Sequence, residues 1–438
     1  MTYSTPSGLS KKEVRTLLRL LPQQAKSKCF QSFDIEKIKS MDTFQQSITV
    51  DGGSLFLSNY GMTIQSDICE VLAKSERYRG LVSMRKIRGI IRKRLELLYN
   101  RKNTVYEENY LNSILDDIDA TIKQYTFVCE VAGLDFSYEC CIDLGFGTLR
   151  LFDKELIKDV KPHRLQDIWE DNFVRPITGK LVFLGCAYGE HDVALSKYYD
   201  NANLSLSCLR LLACANFKRA FREAHVSIKG RGGFSYQPSS TFGWNKDNGR
   251  LISTSSASAR REVYFDTEIT KGFLAEISLT HLPEILKKED RTELEETIVK
   301  SFYWFGEANS DSSLPSAFLK LWSCLECFFT LRNEEITKRN AIGIASLFLY
   351  GDIDMKQEDI AELKDYRSIK KTVSRYYALR SKIAHRGVRI GINDYQVTIL
   401  AFLTCIIILA ATSLARRGYH ELASLEREAT RLDNIHVG

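Results

Sequence analysis

Apolar positions change their spacing along the chain, and that change divides it into a mixed N-terminal part and a helical C-terminal one. Near the start, Val14, Leu17, Leu18 and Leu21 recur at helical intervals. Ser10 with Glu13 three residues on forms a capping box that opens this helix, and Pro22 predicts its end. The run from Ile48 to Leu57 turns about Asp51-Gly52-Gly53 and predicts a hairpin. Helical spacing returns over residues 65–75 and 83–125. Phe127 to Val131, Phe136 to Tyr138 and Leu181 to Leu184 then read as strands, followed by a helix over 204–224. Between Lys229 and Arg261 glycine and serine dominate. That composition holds too little apolar surface to order itself, so one long loop or a pair of loops is expected.

From about Thr280 onward nearly everything has helical spacing, with candidate helices over 282–306, 315–332, 334–350, 357–385, 394–417 and 420–432. Pro315 sits where a first-turn proline belongs. Short connections between such helices make a bundle. One member is unusual: Val397 to Ala415 carries no charge. By length it could span a membrane. Its neighbours, however, are helices in need of an apolar partner, so the buried centre of a bundle or dimer is preferred. The fold class expected is an α+β N-terminal region followed by an all-α helical bundle. The domains fall over 1–265, itself divisible into 1–125 and 126–265, and 266–438.

Composition adds a compartment but no chemistry. The eleven cysteines are scattered over the chain, and Met1-Thr2-Tyr3-Ser4-Thr5-Pro6 is not a secretory leader. Both points suggest a reducing, cytoplasmic setting. Cys324 and Cys327 form a lone CxxC on a helical segment without a second ligand pair, so no structural metal and no cofactor is expected.

Charge is distributed unevenly. Lys74 to Lys102 holds eleven basic residues against Glu76 and Glu96, a local charge of +9 in a chain of net +6, leaving −3 for the remainder. Apolar Met84, Ile87, Ile90, Ile91, Leu95 and Leu98 interleave with it. The result is an amphipathic helix whose cationic face, with Lys86, Arg88, Arg92, Lys93 and Arg94, is a candidate RNA-binding surface. The alternative is a solvated helix that neutralises acidic neighbours such as Asp116, Asp117 and Asp119.

Several smaller signals are weaker. Lys229-Gly230-Arg231-Gly232-Gly233-Phe234, with Tyr236, Phe242 and Trp244, offers cations and stacking faces for single-stranded nucleic acid, or else a loop packed over its aromatics. Glu190-His191-Asp192 lacks partners at metal-ligand spacing and reads as a polar loop. Cys140, Cys141 and Cys186 lie in apolar runs and read as buried thiols. His163, His225 and His281 have no companions in sequence.

The strongest chemical pattern is Arg380-x4-His385-x-Gly387 near the end of a helix. Arginine presents a planar fork of donors to phosphate, and histidine, with an ordinary pKa near ~6.5, moves protons at neutral pH. Five positions turn about 140° around a helix axis, so the two side chains do not share one face. They converge near a helix end, where Gly387 could act as C-cap, or across a two-fold axis.

This motif resembles the signature of the HEPN superfamily, and its context is similar to the ApeA-like branch. The supporting blocks are Ser301-Phe302-Tyr303-Trp304-Phe305, the helix Phe318 to Phe329, and Tyr377 to His385 ahead of a very apolar last helix. Together they cover residues 268–417, about a third of the chain.

The resemblance implies a HEPN bundle and a metal-independent anti-phage endoribonuclease, toxic to its own cell in abortive infection. It acts on tRNA or other cellular RNA. Two copies pair so that their Arg380 and His385 line one composite cleft. Glu326, Ser381, Lys382 and Arg386 are candidate supporting residues. Ser381 departs from the Asn, Asp or His that many active members carry after the arginine. A phage-encoded trigger or inhibitor is an expected partner, and the N-terminal part is expected to restrain or aim the bundle. The rival reading is a catalytically inactive bundle that dimerises and binds nucleic acid.

Overall fold

A computed structural model of the chain describes residues 8–24, 26–31, 47–50, 53–100, 108–136, 140–158, 160, 170–217, 221, 226–229, 238–257, 263–311, 313–329, 335–351, 353, 360–386 and 391–437. It has two compact units. The first comprises Met1–Tyr125, Ala187–Lys197 and Asn245–Asn248, and the second comprises Thr126–Cys186, Tyr198–Trp244 and Gly249–Gly438.

The first unit opens with α1 (Lys11–Gln24). Ser10 Oγ accepts from Glu13 N at 3.2 Å and Ser10 N donates to Glu13 Oε2 at 2.6 Å, so the capping box is formed. Pro22 does not end this helix but sits in its last turn. Strands β1 (Phe30–Gln31), β2 (Ser47–Val50) and β3 (Gly53–Leu57) form a small antiparallel sheet in the order β1-β3-β2. Residues 51 and 52 of the expected turn lie outside the described residues. Helices α2 (Asn59–Lys74), α3 (Met84–Asn100) and α4 (Glu108–Asp119) complete the unit. Ile87, Ile91 and Leu95 are fully buried in its core, as the amphipathic pattern requires, whereas Met84, counted among the apolar positions, is exposed. The helical spacing expected over 83–125 holds two described helices, and its last residues already belong to a strand.

That strand is β4 (Lys123–Ala132), at the middle of a sheet ordered β11-β10-β4-β8-β7-β6, with β9 also paired to β4. The other members are β6 (Cys141–Asp143), β7 (Gly147–Leu151), β8 (Leu181–Gly189), β9 (Ser227–Ile228), β10 (Pro238–Asn245) and β11 (Leu251–Ala257). Short β5 (Leu134–Phe136) pairs in parallel with β12 (Val263–Phe265).

The serine-rich segment is therefore not all loop. Residues 238–245 and 251–257 form a regular antiparallel ladder, Pro238 opposite Ala257 through Trp244 opposite Leu251. Backbone hydrogen bonds on both sides of β10, to β11 and to β4, replace the apolar burial that the composition lacks. Gly243 is required there, because a Cβ would lie 2.2 Å from the Phe127 ring.

The long helix α5 (His191–Asn216) begins thirteen residues before its expected start at 204. Arg210 lies on it, 3% exposed. Its guanidinium donates to Val226 O at 2.8 Å, Asn203 O at 3.1 Å, Ser207 Oγ at 2.9 Å and Asn203 Oδ1 at 2.7 Å. Burial pulls its pKa down to about 10, which still leaves it charged at neutral pH.

The bundle is built from α6 (Glu293–Asn309), α7 (Leu314–Phe329), α8 (Ile336–Tyr350), α9 (Tyr366–Arg386), α10 (Asp394–Arg416) and α11 (Leu422–Val437). Thr292 with Glu295 caps α6, and Asn393 with Gln396 caps α10. At the far end of α10, Gly418 N reaches Ala415 O at 3.1 Å and Tyr419 N reaches Leu414 O at 3.2 Å. That is a Schellman closure, and the +91° φ of Gly418 supplies its left-handed residue.

Helix α10 packs against α6, α7 and α8. It is long and apolar enough to cross a membrane, and 94% of its most apolar window is buried within the protein. This is the burial of a central core helix. The chain thus has an α+β N-terminal region followed by a helical C-terminal region.

Candidate functional site

Arg380 and Glu326 meet between two bundle helices of the second unit. Helices α7 and α9 are held together by aromatic edges: Phe318 against Tyr376 at 5.5 Å between ring centroids, and Trp322 against Tyr377 at 5.8 Å. These contacts set the register that places position 380 opposite position 326. Arg380 NH2 donates to Glu326 Oε2 at 2.9 Å. The other carboxylate oxygen, Oε1, accepts from Trp322 Nε1 at 3.1 Å. Trp322 and Glu326 are one turn apart on α7, so the carboxylate is steered from its own helix before it meets the arginine.

The pair is partly open: the Arg380 side chain is 28% exposed and that of Glu326 20%. Only one guanidinium nitrogen is engaged among the described residues. The rest of the donor fork remains available to an incoming anion.

His385 is exposed in the last turn of α9 and has no hydrogen-bond partner among the described residues. The helix continues through His385 to Arg386, so the imidazole is not released from helical geometry. It therefore stands about 140° around and roughly 7.5 Å along the axis from Arg380. Lys382 is exposed and Ser381 half-buried. The side chain of Arg386, and Gly387 altogether, lie outside the described residues. The structure brings Arg380 and Glu326 together; within one chain it does not bring Arg380 and His385 onto one face.

The basic helix α3 lies in the first unit, and its five candidate residues do not act alike. Lys86, Arg88 and Lys93 are exposed. Arg92 approaches Glu96 at 3.8 Å. Arg94 is taken up by a fork onto Asp117, Nε to Oδ2 at 2.5 Å and NH2 to Oδ1 at 2.7 Å, with Ser113 O at 3.1 Å as well. Arg77 likewise pairs with Asp119.

Elsewhere the sequence reading needs correction. Glu190-His191-Asp192 is no loop but the start of α5, and Glu190 is 4% exposed. Its carboxylate accepts from Ser83 N and from Asp192 N, each at 3.2 Å. His281 is not solitary: Nε2 lies 2.6 Å from Arg416 NH1 and 3.2 Å from Glu276 Oε1. Cys140 is buried, whereas Cys141 and Cys186 are exposed. Trp244 is buried beside Val128, Phe152 and Val182, so it offers no stacking face. Arg231, Phe234 and Tyr236, together with His163 and His225, lie outside the described residues.

The steering role of Trp322 and Tyr377 escaped the sequence reading, although the Trp322-x3-Glu326 spacing is plain in the chain. No protein-family model, no curated protein and no solved structure matches the chain. The functional reading rests on the residues themselves.

Proposed function

We propose that the helical part of the chain is a metal-independent endoribonuclease of the HEPN type, active as a homodimer. The observation that carries this reading is a half-exposed Arg380, oriented by Glu326 with donors to spare, on the same helix as an exposed His385. Because the helix separates the two side chains angularly, one copy alone does not surround a phosphate. An isologous dimer lets the two pairs line one cleft.

In that cleft Arg380 stabilises charge developing on the scissile phosphate, and His385 transfers a proton at the ribose 2′-hydroxyl or the 5′-oxygen leaving group. The 2′-hydroxyl is the nucleophile, so the products carry a 2′,3′-cyclic phosphate and a 5′-hydroxyl, and deoxy substrates are inert. Glu326 is a positioning residue for Arg380, and Lys382 adds a phosphate contact. The biological setting proposed is abortive infection, with tRNA or other cellular RNA as substrate and a phage-encoded trigger or inhibitor as partner.

The test is incubation of the purified chain with total tRNA, with and without chelator, followed by end analysis of the fragments. Chelator-resistant cleavage with cyclic-phosphate ends, abolished in His385→Ala and Arg380→Ala, is the expected result. A His385→Ala chain that cleaves as well as the native one refutes the assignment.

The Arg380–Glu326 ion pair also favours a second reading, a non-catalytic bundle in which the pair only ties α7 to α9. Ser381 in the position after the arginine points the same way. On that reading the purified chain dimerises and retains RNA without cutting it.

A further inference from the structure

A cavity of about 800 Å³ lies in the first unit, bounded by the N-terminal half of α3, the end of α4 and the start of α5. Every lining residue belongs to that unit, so a ligand bound here is independent of whether Arg380 and His385 cut RNA. The volume suits a ligand of nucleotide size.

The charges around it are not balanced in the way a count suggests. Arg85, Lys86 and Lys93 line the cavity on one side, and Asp117, Glu190 and Asp192 also contribute. All three carboxylates are already engaged. Asp117 holds Arg94, Glu190 accepts two backbone N–H groups, and Asp192 Oδ1 lies 2.9 Å from His191 Nδ1. Arg85, Lys86 and Lys93 are exposed and form no ion pair among the described residues. Asp117 is neutralised by Arg94 while Glu190 and Asp192 keep their charge, so three exposed cations face two negative charges and leave a small excess for an anion.

The remaining walls are rigid and partly flat. Glu190 bridges two chain segments, and its own N–H donates to Leu81 O at 2.7 Å, fixing the approach of the two helix starts. The His191 ring is set by Asp192 and meets Tyr125 edge-on at 5.8 Å between centroids. Ile90 supplies an apolar patch and Thr121 a hydroxyl.

We infer that this cavity binds a nucleoside polyphosphate, its phosphates on Arg85, Lys86 and Lys93 and its base against the His191 side. A continuous RNA strand fits less well. Of the other cations on α3, Arg92 and Arg94 face Glu96 and Asp117, and Arg88 is exposed outside the cavity without an ion pair among the described residues, so most of the helix's unpaired charge lies at the cavity.

The experiment is calorimetric titration of the full chain with ATP, GTP, inorganic tripolyphosphate and a single-stranded RNA dodecamer with a 5′-hydroxyl. The variants are Lys86→Ala/Lys93→Ala and, as a control on the same unit, Lys12→Ala. Saturable 1:1 binding of ATP or GTP is expected, weakened about tenfold or more in the double variant and unchanged in the control. Both substituted lysines are exposed, so the variant folds, and an unaltered melting temperature confirms it. No saturable binding of either nucleotide overturns the inference, as does binding indifferent to the double variant. So does a dodecamer that outcompetes both nucleotides, or tripolyphosphate binding as tightly as ATP.

Discussion

Two arginines of the second unit respond to the same substitution with costs of different size. Arg210 is 3% exposed, and replacing it with methionine takes a donor from the Val226 carbonyl, the Asn203 side-chain oxygen and the Ser207 hydroxyl, while the Asn203 carbonyl keeps Ser207 Oγ at 3.1 Å. At about 1–3 kcal/mol for each buried acceptor left unmet, the raw sum is large. Relief of the desolvated charge and local relaxation reduce it, so Arg210→Met should cost about 4 kcal/mol, near the upper end for one residue.

Arg380→Met removes one charge-assisted bond from a side chain that is 28% exposed, and about 1 kcal/mol is expected. With roughly 2 °C per kcal/mol for a unit of this size, the melting shifts are ~8 °C and ~2 °C. Thermal unfolding followed by far-ultraviolet circular dichroism separates them, and Trp322 fluorescence reports on the Arg380 side. Equal shifts for the two variants would refute the burial argument. The contrast also matters for activity, since a folded Arg380 variant that cuts no RNA has lost chemistry rather than structure.

The same geometry sets three more outcomes. Gly306→Ala places a methyl 2.5 Å from Ser207 Oγ and 2.9 Å from Arg210 NH1, so α5 and α6 must separate, at a cost of about 1–3 kcal/mol seen as a lower melting temperature. Burial would raise the pKa of Asp433, but Lys370 Nζ at 2.8 Å and the Tyr366 hydroxyl at 2.6 Å more than offset it and hold the carboxyl below the usual aspartate range. A depressed folded pKa stabilises fully above ~pH 4 and less as pH falls through the lowered value, so the melting difference between native and Asp433→Asn should be largest at neutral pH and shrink in acid. Glu326→Gln keeps an acceptor for Trp322 but gives up the charge facing Arg380. Single-turnover RNA cleavage should drop about tenfold while the melting temperature moves by no more than ~2 °C, and unchanged cleavage would remove Glu326 as a positioning residue.

What could be read from the chain was local. The Ser10–Glu13 cap, the buried stripe of α3 and the uncharged run of α10 are all decided by neighbours within a few turns. The Arg380-x4-His385 spacing was likewise visible, and with it the angular separation of the two side chains.

What escaped notice depends on partners far away in sequence. Glu190 reads as a loop residue until Ser83, 107 positions earlier, supplies the N–H it caps. His281 is a different case: Arg416 is 135 positions on, but Glu276 and Glu284 lie within a turn or two and were legible. The serine-rich strands resemble loop because a central strand is held by ladders on both edges, and no window of one strand contains its neighbours.

Between Val397 and Leu414 helix α10 has no exposed position, being enclosed by other parts of the bundle. A rod wrapped in this way has nothing to offer a second molecule. On the dimer proposed above, contact between two copies is recruited from the outer layer, where Tyr303 and Trp304 stand exposed and where α9 carries His385 toward water. Substitutions along the rod would then act on folding, and those on the outer layer on assembly, so the two kinds of damage can be told apart by position alone.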